Sequence, residues 1–309
     1  MPGLRPFRFG VQQYAATNAA EWAEKARRAE ALGYDILVIP DHLGQGVMAY
    51  APALTAAAGA TTTLRIGALV LDNDFRHPAL VASEAATLDL LSDGRFELGI
   101  GAGWDRRDYS ASGIPFDSPA VRLRRLEESV RLIKSLLRGE PVTFTGQFYA
   151  LDALQNSPLP VQRPRIPIML GGGGPRMLVL AGREADIVSV MPAGLGADAM
   201  PDLRASALER AITGLRRAAG ERFPRLELNT LLQRLVVTDD AHEAAEQLAG
   251  DWQLTPEEAL GSPWALIGSA DRIVDALLER RERFGLSYWV VQGRHMEAFA
   301  PVLAQLAGR

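Results

Sequence analysis

The amino-acid sequence predicts an α/β protein of the (β/α)8 TIM-barrel class, and three observations predict it. Short apolar runs of strand length alternate with longer segments of helical periodicity along most of the chain, the pattern of βα units feeding a parallel sheet. The alternation recurs eight times in 309 residues, a number that suits a closed barrel. The turn after the first strand reads Gly10-Val11-Gln12-Gln13-Tyr14, without the glycine fingerprint that an open dinucleotide-binding sheet carries there.

Each element follows from local pattern. A strand is expected over residues 9–12 and a helix over 19–32, where Trp22, Ala26, Ala29 and Leu32 keep near-helical spacing and Gly33 ends it. Residues 35–39 read as strand two, 52–62 as a helix and 64–71 as strand three. A helix opening on Pro78 runs to residue 91, stops at Ser92-Asp93-Gly94 and leads into strand four over 96–100. Residues 119–137 form a long helix, and 142–149 a hairpin turning at Thr145-Gly146 that interrupts the repeat. Strand five (166–170), a helix (175–182), strand six (186–190) and a helix (203–219) resume it. Strand seven falls within 226–237, helices follow over 241–250 and 271–284, and strand eight covers 288–291. No linker or repeat divides the chain, so a single barrel domain over residues 1–309 is expected.

Composition narrows the function. Apolar residues make up 48% and charged residues 23%, enough to build a sizeable core. A net charge of -4 gives no reason to expect nucleic acid or an anionic membrane as a partner. With no cysteine there is neither disulfide nor thiolate chemistry, which favours the cytoplasm. The opening MPGLRPFRFGVQQ lacks a long apolar run and no uncharged stretch reaches membrane-spanning length, so neither signal peptide nor membrane span is expected.

In a barrel the site lies at the C-terminal ends of the strands. Strand two is followed by Pro40-Asp41-His42, strand three ends in Leu71-Asp72-Asn73-Asp74, and strand four runs into Gly99-Ile100-Gly101-Ala102-Gly103-Trp104-Asp105. A histidine beside a carboxylate can be oriented by it and can shuttle a proton near neutral pH; a merely local hydrogen bond for His42 is the competing reading. His77, before Pro78, reads as a helix cap, and His242 and His295 as solvated. Four scattered histidines lack metal-ligand spacing, so no metal site is expected.

Gly171-Gly172-Gly173-Gly174-Pro175-Arg176 follows strand five and opens a helix, where backbone N–H groups and the helix dipole converge on an anion; a tight βα turn is the plain alternative. Gly101 and Gly103 leave room for a flat ring or for close packing. Trp104, Tyr109, Phe116, Trp252 and Trp264 lie in or beside loops and can line an apolar pocket. No GxxxxGK[ST] run and no GxSxG elbow is present, which removes P-loop and α/β-hydrolase chemistry.

Residues 77–104, HPALVASEAATLDLLSDGRFELGIGAGW, resemble a stretch of the bacterial luciferase-like family of flavin monooxygenases and coenzyme F420-dependent oxidoreductases. AEALGYDILVIPDH, SGIPF, LRGEPVTFTGQFY and PIMLGGGGP extend the resemblance over most of the chain. It implies a barrel that binds F420, or alternatively FMN, and either hydride transfer or oxygen chemistry on reduced flavin. Asp41 and His42 then match the pair beside the deazaflavin ring, as catalytic and cofactor-binding residues. Leu71, Asp72 and Asn73 match a strand end that often carries a non-prolyl cis peptide backing the ring. Gly171, Gly172, Gly173, Gly174 and Arg176 would hold the cofactor phosphate, Gly101 and Gly103 would let the ring or ribityl chain pass, and Gln12 would contact the cofactor from strand one. Asp105 and Asp108 stand where relatives often have Asn and Glu, which puts those polar contacts in doubt.

The Pro-Asp-His step favours F420, hence hydride transfer to or from a small organic substrate. An FMN-dependent monooxygenase served by a separate flavin reductase is the alternative, and a non-catalytic flavin-binding barrel the second. A homodimer is expected on family analogy and base rate, and specificity is expected from the loops at 44–50 and 252–269.

Overall fold

The computed structural model describes residues 5–194 and 200–309, so residues 1–4 of the N-terminal stretch lie outside it. The strands that concern the site are β1 (Arg8–Gln12), β2 (Ile36–Ile39), β3 (Arg65–Ala68), β4 (Phe96–Gly101), β5 (Ile168–Gly172), β6 (Ile187–Val190), β7 (Glu227–Leu231) and β8 (Leu286–Gln292). The helices are α1 (Ala19–Ala31), α2 (Tyr50–Ala60), α3 (Pro78–Leu91), α4 (Arg106–Ser112), α5 (Pro119–Leu136) and α6 (Pro175–Glu184), then α7 (Ala205–Ala219), α8 (Ala241–Trp252), α9 (Pro256–Gly261), α10 (Ala270–Phe284) and α11 (Met296–Leu306). The chain forms two compact units: the first takes residues 1–12, 31–35 and 171–309, the second 13–30 and 36–170.

In the second unit β2, β3, β4 and the start of β5 pair in parallel, with Ile36 opposite Arg65, Ile66 opposite Phe96 and Leu98 opposite Ile168. Every residue of β2 and β4 is buried. Parallel strands covered on both faces read as continuous apolar runs, which is why periodicity located them. The strand expected over 64–71 is interrupted: β3 ends at Ala68, the Leu69–Val70 peptide is cis, and Leu71–Asp72 resumes pairing opposite Ile100 and Gly101.

Helices of this unit bury one stripe each. Trp22 of α1 donates its indole N–H to the Ala53 carbonyl of α2 at 2.7 Å. α2 starts two residues ahead of the expected position, because Pro52 falls in its first turn, where a missing N–H costs no hydrogen bond. α3 opens on Pro78 with His77 as its cap, the ring Nδ1 accepting the Ala79 N–H at 3.2 Å, as expected from sequence. α5 buries Leu126, Val130, Ile133 and Leu136 at helical spacing. The hairpin forms between Val142–Thr145 and Ala150–Leu154. α4 was not expected: at seven residues it is too short to show a period, yet Asp105 caps it by accepting the Arg107 N–H at 3.0 Å and Gly113 ends it in the left-handed region.

In the first unit β1 pairs with β8, β8 with β7, and β7 with β6, all in parallel, with Arg8 opposite Tyr288, Asn229 opposite Tyr288 and Asn229 opposite Ser189. The stretch expected to hold strand seven divides into β7 and Arg234–Val237, and the latter pairs with Ala265–Gly268, a strand without a sequence signal of its own. α10 is capped by Ser269, which accepts the Arg272 N–H, and ends at left-handed Gly285. α9 carries a Thr255/Glu258 capping box. No helix among the described residues is long and apolar enough to cross a membrane.

Candidate functional site

β2 runs into Asp41 and His42, which the sequence suggested would orient one another. The structure gives them different partners, since neighbours in an extended chain point to opposite sides. Both Asp41 carboxylate oxygens bind the Arg76 guanidinium, Nη2 to Oδ1 at 2.9 Å and Nη1 to Oδ2, and Oδ2 also accepts the Asp72 N–H at 3.0 Å. Arg76 in turn lies over the Tyr50 ring, 4.8 Å from its centroid.

His42 turns instead to α4. Its Nδ1 lies 2.7 Å from Asp108 Oδ2, while Asp108 Oδ1 accepts the Leu43 N–H at 3.2 Å and the Gln45 Nε2–H at 2.6 Å. Asp108 is buried and the imidazole is about one fifth exposed, at 19%. With its Nδ1–H committed to the carboxylate, a neutral His42 presents Nε2 as the basic nitrogen. The Trp104 indole stands edge-on to this ring at 5.7 Å and is 45% exposed, an unusual position for so large an apolar surface.

Gly101 ends β4 opposite Asp72. Gly103 has φ +75°, and a Cβ there would lie 1.9 Å from Tyr109 Oη and 2.3 Å from Asp72 Oδ2. Its missing side chain is therefore used by the protein itself. Tyr109 Oη sits 2.8 and 2.9 Å from the two Asp72 oxygens and 3.3 Å from Asp74 Oδ2. Burial pushes the Asp72 carboxyl up to about 7, against the Asp74 N–H and Tyr109 hydroxyl that favour its charge; the nearby Asp74 and Asp41 carboxylates push the same way as burial. The Arg107 guanidinium holds Asp105 well below the usual carboxylate range.

His42, Asp105 and Asp108 bring their candidate ligand atoms within 4.8 Å of one another. Protein donors already occupy them: Asp105 is taken by Arg107 and Gln45, and Asp108 by His42, Leu43 and Gln45.

The remaining sequence candidates belong to the first unit. Gln12 ends β1 opposite Gln292 of β8 and is buried. Gly171 and Gly172 end β5, and Gly174 starts α6 with no side-chain cap, leaving Arg176 exposed in the first turn. A Cβ on Gly173 would lie 2.0 Å from the Met191 carbonyl oxygen, so this glycine also has a packing reason, while one on Gly174 would meet nothing within 4 Å. In the second unit the structure thus brings together Asp41, Asp72, Asn73, Gly101, Gly103 and His42 with residues that sequence reasoning did not place there: Arg76, Gln45 and Tyr109. Of these Tyr109 had drawn notice as a loop aromatic, and Gln45 only as part of the loop at 44–50.

A family model described as luciferase-like monooxygenase matches residues 3–260. The chain is 33% identical over 267 residues to an F420-dependent glucose-6-phosphate dehydrogenase of Nakamurella multipartita, covering 83% of this chain and 76% of that one. It is 31% identical to the protein of the same description from Beutenbergia cavernae, covering 92% and 82%. The solved coenzyme F420-dependent tetrahydromethanopterin reductase of Methanopyrus kandleri superposes with a TM-score of 0.78 at 22% identity, over 98% of each chain. At that identity the likeness shows the fold, the (β/α)8 barrel predicted from sequence.

Proposed function

The chain belongs to the luciferase-like monooxygenase family, and on that footing we propose that it is a coenzyme F420-dependent oxidoreductase that moves a hydride between the deazaflavin and a small organic substrate. The observation that carries the reading is the His42–Asp108 pair at the C-terminal end of β2. Relatives that are 33% and 31% identical over 267 and 298 residues are F420-dependent dehydrogenases, which favours the deazaflavin over FMN.

The residues present suit such a group. In the first unit the uncapped start of α6 offers backbone N–H groups, and Arg176 a guanidinium, to a phosphate. In the second unit Asp41, held by Arg76, and His42, held by Asp108, present a fixed carboxylate and a basic imidazole nitrogen. When bound, the deazaflavin supplies an obligate two-electron hydride carrier.

What the chain itself contributes is proton handling and orientation. An alcohol carbon that gives up a hydride sheds its hydroxyl proton, and on this reading His42 Nε2 receives it. The Asp108 carboxylate holds the ring in one orientation through Nδ1. The exposed Trp104 indole offers the substrate an apolar surface beside the imidazole ring.

Titration of the purified protein with F420 and, separately, with FMN tests the reading. F420 is expected to bind and FMN to bind far more weakly. Tight binding of reduced FMN with oxygen uptake, and indifference to F420, would replace this reading with that of a flavin monooxygenase.

A further inference from the structure

Asp105 caps α4 and Asp108 stands in its first turn, and both side chains are buried. Two carboxylates so placed repel one another, and a helix of seven residues is too short to resist that repulsion by its own stability. Between them lies the amide of Gln45, from the loop after β2.

Gln45 Nε2 is 2.6 Å from Asp108 Oδ1 and 3.1 Å from Asp105 Oδ2, so its two protons serve one carboxylate each. Its Oε1 accepts from Arg107 Nη2 at 3.4 Å, and that same nitrogen donates to Asp105 Oδ2 at 2.6 Å. The charges allow the amide one orientation. Turned end for end, its oxygen would face two carboxylate oxygens and its NH2 group a guanidinium. Gly44 and Gly46 flank Gln45 in the left-handed region, at φ +69° and +70°, and a Cβ on either would meet nothing within 4 Å. Hydrogen bonds, rather than packing of these neighbours, hold the turn to α4.

We propose that Gln45 is a positioning residue: by bridging the two carboxylates it keeps Asp108 on His42 and so fixes which imidazole nitrogen carries the proton. Its part in turnover rests on the function proposed above, whereas the place of the proton does not. Without the bridge, Asp108 Oδ1 keeps the Leu43 N–H at 3.2 Å but faces the Asp105 charge with no proton between them. Arg107, whose charge attracts Asp108 as well as Asp105, then competes with His42 for the Asp108 carboxylate. An imidazole released from Asp108 is free to carry its proton on either nitrogen.

Nitrogen NMR of the cofactor-free protein, carrying isotope-labelled histidine, reads the proton directly at about pH 9, where an imidazole is neutral. The chain has four histidines, and His42→Ala identifies the signal. Wild-type His42 is expected in the Nδ1–H form. In Gln45→Met, which keeps the length of the side chain and removes the amide, the two ring nitrogens should draw together in shift as both forms become populated. A wild-type His42 protonated on Nε2, or a His42 spectrum unchanged in Gln45→Met, overturns the inference.

Turnover supplies the second readout. Gln45→Met should lower kcat by about tenfold, the worth of one hydrogen bond, with KM and F420 affinity unchanged. Because Gln45 acts through Asp108, the same substitution should cost nothing further in an Asp108→Ala background; a loss that adds in full, or one confined to KM, refutes the positioning role. F420 is titrated into the wild type in parallel: failure to bind it sinks the cofactor reading and leaves the NMR result to decide the place of the proton.

Discussion

His42 and Asp108 stand 66 positions apart in sequence, yet Nδ1 of one lies 2.7 Å from Oδ2 of the other. The pair ties the end of β2 to the first turn of α4, and it fixes which imidazole nitrogen faces outward.

Replacing His42 by Ala should lower turnover by about 10²- to 10⁴-fold, the usual worth of a positioned acid–base group, while F420 affinity stays close to that of the wild type. Asp108→Asn keeps a hydrogen-bond acceptor for Nδ1–H and should retain more activity than Asp108→Ala, with the loss in kcat rather than KM. Steady-state kinetics of the three variants with F420 binding measured alongside decides it; equal turnover in wild type and His42→Ala leaves the histidine with a local structural role.

Much of the architecture was legible because both-face burial makes β2 a continuous apolar run and leaves β4 apolar but for Glu97, and because Gly33, Pro78 and Gly94 punctuate the chain. α4 and α9, at seven and six residues, fall below two helical turns and show no period. At the site, sequence proximity misled: Asp41 is the carboxylate next to His42 in the chain, but strand alternation turns it to Arg76. Asp108 stood out only as a departure after Gly103-Trp104, and Arg76 carried no signal, because nothing in one sequence marks a partner that tertiary folding supplies.

Stability should depend on pH through Asp72. The native carboxyl, facing Tyr109, Asp74 and Asp41, keeps its proton up to about 7, whereas the unfolded chain releases it near 3.8. Between those values the native state binds more protons, so unfolding free energy falls as pH rises, by at most about 1.4 kcal/mol per pH unit, and the loss is complete above 7. Asp72→Asn cannot ionise and escapes this loss. Its Tm relative to the wild type should climb from pH 4 to 7 and level off beyond; a gap that stays constant over the range refutes the assignment.

Gly103→Ala and Gly113→Ala separate crowding from backbone strain. Both glycines are left-handed, at φ +75° and +73°, but a Cβ meets Tyr109 and Asp72 at the first and nothing within 4 Å at the second. Gly113→Ala should cost about 1–2 kcal/mol from conformation alone, and Gly103→Ala about 1–3 kcal/mol more from overpacking. Urea denaturation of the two variants measures the difference, and equal costs would show that the Gly103 surroundings relax freely.

Trp104→Ala should leave folding stability within about 0.5 kcal/mol, as for an exposed side chain, and yet raise KM for the organic substrate several-fold without changing F420 affinity. A KM equal to that of the wild type would remove Trp104 from the substrate's surroundings.

The way α4 presents Asp108 also sets which loops can change length over evolutionary time. One residue inserted between Arg106 and Asp108, inside the helix, would swing the carboxylate by about 100° around the helix axis and cut it loose from the imidazole. The loop after β2 is under no such phase constraint past Gln45, where Gly46 has open space around it. Diversification of substrate range is therefore cheap on one side of the histidine and forbidden on the other.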